Sequence, residues 1–284
     1  MEKIAVVTDT GSNLSFAQAK ELGIYLLPLQ ITIDETTYQD TLEISTLDIY
    51  NELANGKMPK TSMAAYQKIY DLFEELKKDY DTIFAVPLTN GLSTNASTMQ
   101  SIARELEMNV HVIDMYATCA LEKHVTIWIK KLVDEHKSSE EILKIIQPAI
   151  DESNSLILVK NLQHLKRGGR LTPMAATLAG LLKIYPVLHI NKSTKGRIDV
   201  LNKVRTEKRA DAYAIDKVMD DIDIQHTHIY IIHSNFLEGA NHFKKCFIEK
   251  GVPEQNIHID YISSVIAVHT GLGCIAIQYI REEN

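Results

Sequence analysis

Short β-branched runs alternating with amphipathic stretches set the rhythm of this chain. Ile4 to Val7 is an extended apolar run closed by the turn residues Thr8-Asp9-Thr10-Gly11-Ser12, and Ser12 or Asn13 is placed to cap a helix starting near Ser15. Tyr25 to Ile33 is a second extended run, in which Pro28 marks an edge or a strand entry. The polar stretch Asp34 to Glu43 reads as a turn, and Ser45 or Thr46 opens a short helix that Asn55-Gly56 ends. Ala65, Ile69, Leu72, Phe73 and Leu76 keep helical spacing, which predicts a helix with Thr61 or Ser62 as its N-cap. Asp81 to Val86 is a third strand, closed by Pro87 and a loop from Leu88 to Asn95. A helix with Ala96, Met99, Ala103 and Leu106 on one face follows it. Val110 to Asp114 is a fourth strand, and two helices parted at Lys137-Ser138-Ser139 run to about Asp151.

The pattern restarts after Asp151-Glu152-Ser153-Asn154-Ser155. Leu156 to Val159 is extended and leads to Gly168-Gly169, which permits positive φ and close backbone approach among Lys166, Arg167 and Arg170. Thr172-Pro173 is a strong helix start, and Leu178, Leu181 and Leu182 make an apolar helix ending before Tyr185-Pro186. Val187 to Ile190 and Ile198 to Val204 read as a hairpin, and His226 to His233 as a strand. A helix from Glu238 to Lys250 follows, then Ile257 to Ile262 as the last strand. Val268 to Cys274 leads into an apolar terminal helix. Strands alternating with helices define an α/β protein. At 284 residues the chain exceeds one comfortable core. The reading is therefore two domains, 1–152 and 153–284, each a sheet flanked by helices.

Composition narrows the function. A formal charge of −7 argues against a general nucleic-acid binder, although 160–210 is locally basic and Lys203, Arg205, Lys208 and Arg209 extend that surface. Cys119, Cys246 and Cys274 are too few and too far apart for a disulfide framework or a zinc site. The start MEKIAVVTD has neither the basic flank nor the apolar length of a signal peptide, and no run of about 18 apolar residues occurs, so the expected location is cytoplasmic.

The candidate chemistry is that of a pocket for an anion. A basic, glycine-tight loop leading into an apolar helix puts a cation beside a greasy wall. That suits an amphiphile with an anionic head; the same residues also suit a surface loop with solvated arginines. Two adjacent hydroxyls at a helix N-terminus, Thr61 and Ser62, can cap the helix or hold a carboxylate. Ser93 and its neighbour Thr94 stand at the start of another helix, with the same two readings. His269, among Gly271 and Gly273, can donate to an anion and is expected to titrate near neutrality. Asp9 is a turn former or an orienter of neighbouring hydroxyls. His226 and His228 share a strand face, but without a third ligand at a recognisable spacing they read as structural. A different class of function would use Ser93 or Ser62 as the nucleophile of a hydrolase or transferase with His269 as base. Gly91-Leu92-Ser93-Thr94-Asn95 is not a GxSxG elbow, and no GxxxxGK phosphate loop is present.

Several of these segments, in this order, resemble the bacterial DegV family. LKRGGR over Leu165–Arg170, followed by Thr172, a small-residue helix, a proline strand and the Lys195-Gly196-Arg197 turn, is similar to that family's signature. Thr8-Asp9-Thr10 is similar to its TDS-type start, with Thr10 departing. Thr61-Ser62 matches the head of a TSQPS-type motif, with Met63 and Ala64 departing. Gly91-Leu92-Ser93 matches part of SSGLSGTY, with Thr94 in place of glycine. Val268 to Cys274 is similar to HxGPGALG, with Leu272 and Cys274 departing. Where the family has a DS pair and small residues, this chain has Asp114-Met115-Tyr116, which reshapes a pocket or is simply core.

The better understood members look like fatty-acid-binding proteins of the FakB type. The resemblance implies a two-domain fold with a ligand tunnel between the domains. Thr61, Ser62, Ser93, Thr94 and His269 would hold the carboxylate of a long-chain fatty acid. It implies no metal, no other cofactor and no catalytic residue. A separate fatty acid kinase would use ATP to convert the bound acid to an acyl phosphate, with Arg170 and Arg205 in docking, and transient membrane contact fits such a carrier. The departures at Met63, Met115-Tyr116 and Leu272 keep open a regulatory binder of another amphiphile.

Overall fold

The computed structural model describes residues 2–181 and 183–282. In the first half, strands β1 (Ile4–Asp9), β2 (Tyr25–Leu27), β3 (Gln30–Ile33), β4 (Thr36–Gln39), β5 (Lys60–Ser62), β6 (Thr82–Val86) and β7 (Asn109–Val112) alternate with helices α1 (Phe16–Leu22), α2 (Thr46–Ala54), α3 (Tyr66–Leu76) and α4 (Asn95–Glu105). Two long helices, α5 (Ala120–Asp134) and α6 (Ser139–Glu152), close it. The second half contains β8 (Asn154–Leu158), α7 (Leu162–Arg167), α8 (Pro173–Leu178), β9 (Tyr185–Ile190), β10 (Asp199–Val204) and α9 (Glu207–Asp221). It ends with β11 (Thr227–His233), α10 (Leu237–Glu249), β12 (Ile257–Tyr261), α11 (Ser264–Thr270) and β13 (Ile275–Arg281).

The first sheet is parallel, in the order β2-β1-β6-β7, and both its faces are covered. Alternation along the strands divides the core: Ile4, Val6, Phe84 and Val86 pack under α5 and α6, whereas Ala5, Val7, Ile83 and Ala85 pack under α3 and α4. A small antiparallel sheet, β4-β3-β5, lies beside it. The third sheet has six strands in the order β10-β9-β8-β13-β11-β12. Its faces also sort by parity, with Leu156, Ile275 and Ile277 on one side and Ile157, Cys274 and Ala276 on the other. Ile280 belongs to the core under α5 and α6, so that layer is shared by both halves.

Four sequence readings need correction here. The polar stretch 34–43 is not a turn throughout, since Thr36–Gln39 pairs with β3 as a hairpin strand. Residues 162–167 form a helix, which Asn161 caps by accepting from the His164 amide. The helix opened by Thr172-Pro173 ends at Leu178, leaving Leu181 53% exposed, and Leu182 lies outside the described residues. The largest error is at the end: the expected apolar terminal helix is β13, held between β8 and β11. Buried on both faces, Ile275 to Ile280 shows no alternation, and a mostly apolar run of that length, broken only by Gln278, reads equally as helix or strand.

Candidate ligand site

In the parallel sheet the chain turns from β1 to β2 on one side and returns to β6 on the other. Ligands of open α/β sheets sit at such a switch point, beyond the carboxyl ends of the strands. Asp9, at the end of β1, ties the two loops together there. Its carboxylate accepts from the Gly11 and Leu88 amides at 2.8 and 2.9 Å and from Asn95 Nδ2 at 2.6 Å. Asp9 is fully buried and meets backbone amides and Asn95, so its work is turn formation and loop placement.

The loop after β6 carries Asn90 to Thr94 into the site. Its position depends on glycine: a Cβ on Gly91 would lie 2.1 Å from the Gly196 backbone, and one on Gly196 (φ +70°) would lie 2.0 Å from Thr89 Oγ1. The close approach in this segment is therefore at Gly91, and Thr94, whose hydroxyl points to Met63 Sδ at 3.4 Å, does not obstruct it. Ser93 Oγ accepts from the Asn95 amide at 3.2 Å, a local cap as well as a cleft residue.

Thr61 and Ser62 come from β5 and not from a helix end. The helix that follows starts at Tyr66, and its N-cap, Ala65, makes no side-chain bond. The pairing of β5 with β3 sets Thr61 opposite Ile31, and Ser62 Oγ donates to Gln30 Oε1 at 3.0 Å. The helix-dipole argument for a carboxylate at this position therefore falls; hydroxyls on a strand edge remain. His269 likewise stands in the last turn of α11, not before a helix, and its Nε2 meets Thr61 Oγ1 at 2.7 Å.

These residues converge on one cleft of about 390 Å³, lined among others by Thr61, Ser62, Ser93, Thr94, Arg170 and His269. Every residue expected to hold a carboxylate is there. Of the two arginines read as docking residues, Arg170 lies in the cleft wall, reaching the Leu92 and Gly168 carbonyls at 3.4 and 2.7 Å. Arg205 is exposed after β10 and does not line the cleft. Met63 lines the cleft, whereas Met115 is core beneath α5 and Leu272 packs elsewhere. Of the departures from the family pattern, Met63 and Thr94 stand in the cleft wall. Sequence reading missed Asn90 and Ile266 of the lining and a supporting histidine, His164, whose Nε2 meets the Val268 carbonyl at 2.8 Å. Its position four residues before Gly168 offered no chemical signal.

Burial holds the His269 imidazole far below its ordinary range, at about 4, with the Arg170 guanidinium and His164 pushing the same way and Gly168 opposing. The expectation of a titration near neutrality is thus corrected: the ring is neutral at pH 7. Its Nδ1 is buried close against the Gly168 backbone, where a Cβ would come within 2.9 Å. No carboxylate orients this ring, and no hydrogen bond joins it to Ser93, so among the described residues the pairing required for an activated serine is missing. Below the cleft, Leu92, Ile198, Ile266 and Thr270 also border a narrow compartment of about 30 Å³ with Ile157, Ile190, Ile232 and Ile262 in its walls.

A cleft that carries hydroxyls, an uncharged imidazole and one arginine, and that shares part of its lining with an apolar compartment, has the chemistry of a site for an anionic amphiphile. Residues 3–282 match the family described as "Uncharacterised protein, DegV family", and the chain belongs to that family. Among curated relatives it is 31% identical over 289 residues to the DegV domain-containing protein BH3627 of Halalkalibacterium halodurans, covering both chains completely. It is similar in structure to the fatty acid binding DegV family protein SAG1342 of Streptococcus agalactiae, with a TM-score of 0.91, 29% identity and full coverage of both chains. It is also similar to DegV, a fatty acid binding protein from Bacillus subtilis, with a TM-score of 0.86 and 26% identity, covering 99% of this chain and 100% of that one.

Proposed function

We propose that this protein is a fatty-acid carrier that presents the ligand carboxylate to a partner ATP-dependent fatty acid kinase. The observation that supports it most is the Thr61–His269 pair at the mouth of a cleft leading into an apolar compartment. The carboxylate would replace part of that pairing, accepting from Thr61, Ser93 and the imidazole, with Ser62 and Thr94 at the rim and Arg170 offsetting its charge. The tail would enter past Leu92 and Ile266, each buried methylene contributing about 0.8 kcal/mol. The hydroxyls then set orientation and offset the desolvation of the carboxylate. Exposed Arg205, with Arg170 at the cleft edge, is the proposed docking charge for the kinase. Such a carrier works in the cytoplasm, and 1–152 and 153–284 are the two units that would part to admit the tail.

The narrowness of the apolar compartment favours a second reading, a regulatory binder of a smaller amphiphile. Mass spectrometry of the small molecule released by denaturing the purified protein separates the two. A stoichiometric long-chain fatty acid is the expected result. A different amphiphile would transfer the same head-group argument to the second reading. Protein that is empty and takes up no added palmitate or oleate would overturn the carrier.

A further inference from the structure

The six-stranded sheet has a second cavity, of about 330 Å³, on the face opposite the tail compartment. Adjacent residues of the same strands serve the two: Ile157 faces the compartment and Leu158 the second cavity, and Cys274 and Ala276 flank Ile275 in the same way. Its floor is Leu158, Pro186 and Ile275, and α9 and α10 roof it with Ala210 and Phe243. Phe236 forms one wall. That ring lies so close over α10 that a Cβ on Gly239 would come within 2.3 Å of it, so the glycine fixes where the aromatic face sits.

The polar groups of this cavity are unbalanced. Glu207, Asp211 and Glu238 line it against one ammonium, that of Lys160, and one imidazole, that of His242. Lys160 is already engaged, ion-paired with Glu207 and lying 4.9 Å from the Phe236 ring centroid. Asp211 is half-buried and has no hydrogen bond or ion pair among the described residues; burial pushes its carboxyl above the ordinary range, opposed more weakly by the charges of His242 and Lys160. A carboxylate left unpaired against apolar and aromatic walls is stabilised by a cation that brings its own apolar body.

We propose that this cavity is a second ligand site, separate from the anion cleft, which takes a small organic ammonium carrying an apolar ring. The ring packs between Phe236, Phe243 and Leu158, and the ammonium pairs with Asp211. A cavity of this size with few convergent polar groups is of the kind that binds small molecules.

Phenethylamine is the probe, with the near-isosteric neutral 2-phenylethanol and the anionic 3-phenylpropionate as controls. Calorimetry on the full chain is expected to show saturable binding of phenethylamine, about tenfold weaker binding of 2-phenylethanol and none of 3-phenylpropionate. Asp211→Asn should weaken phenethylamine about tenfold and leave fatty-acid binding unchanged. The parent protein gives an independent reading: saturating phenethylamine should lower the titration midpoint of the Asp211 carboxyl, followed by carbon NMR. Equal affinity for amine and alcohol, or an unmoved Asp211 midpoint, would overturn the site.

Discussion

His269 is neutral at pH 7 because burial beside Arg170 disfavours the imidazolium. A bound carboxylate reverses that preference, so binding takes up a proton wherever the pH lies between about 4 and the raised pKa of the complex. Affinity for palmitate should then fall as pH rises through that window, and His269→Gln should flatten the profile. A parent Kd that does not change with pH would remove the histidine from the head-group role. Melting curves are a poorer probe. The His269 contribution to stability is present above the unfolded value near 6.5 and lost as pH falls towards about 4. Asp40, raised by burial to about 6, acts in the opposite sense, its contribution being present below 3.8 and lost as pH rises through about 6.

At the scale of elements, the loop after β6 is held by a contact that admits no side chain. Gly91→Ala should cost about 1–3 kcal/mol through its overlap with Gly196, lowering the melting temperature and, by moving Leu92 and Ser93, weakening palmitate. Gly180→Ala, with nothing within 4 Å, is the control expected to melt as the parent does. Unchanged melting of Gly91→Ala would show that this contact does not position the loop. The same elements show what the sequence made legible. Capped amphipathic helices such as α6, with Ser138 and Glu141 in a capping box, and the edges of β1 and β6 follow from local rules. Thr61 reads from the sequence as a helix cap, whereas it stands on β5, because a hydroxyl before a helical pattern is also what a short strand end looks like. The Thr61–His269 bond spans 208 positions, and no local pattern encodes such a contact. The place of Arg170 in the cleft wall was hidden for the same reason.

For the whole molecule, the halves are joined by more than the chain between them. The Tyr50 hydroxyl, on α2, reaches the carbonyls of His233 and Ile262 at 3.2 and 2.6 Å, and its ring packs into the core of the six-stranded sheet. Tyr50→Phe keeps that packing and takes the hydroxyl from the Ile262 carbonyl, while the His233 carbonyl keeps the Ile262 amide; the loss should cost about 1–3 kcal/mol. The parent is expected to unfold in one calorimetric transition, and Tyr50→Phe in one at lower temperature. Two separate transitions in the parent would show that this joint does not couple the halves.

Strand β13, between β8 and β11, is described above as a fact of topology, but it also governs how the protein can be made. Every other strand of the six-stranded sheet precedes it in the chain, so during synthesis β8 and β11 emerge with apolar edges that have no partner. The parallel sheet of the first half is complete once residue 112 is out, whereas the second half stays an open template until about residue 281 has cleared the ribosome. During that interval the open edges of β8 and β11 are templates for pairing with another chain, so aggregation of half-made molecules answers to strand order as well as to the stability of the folded protein.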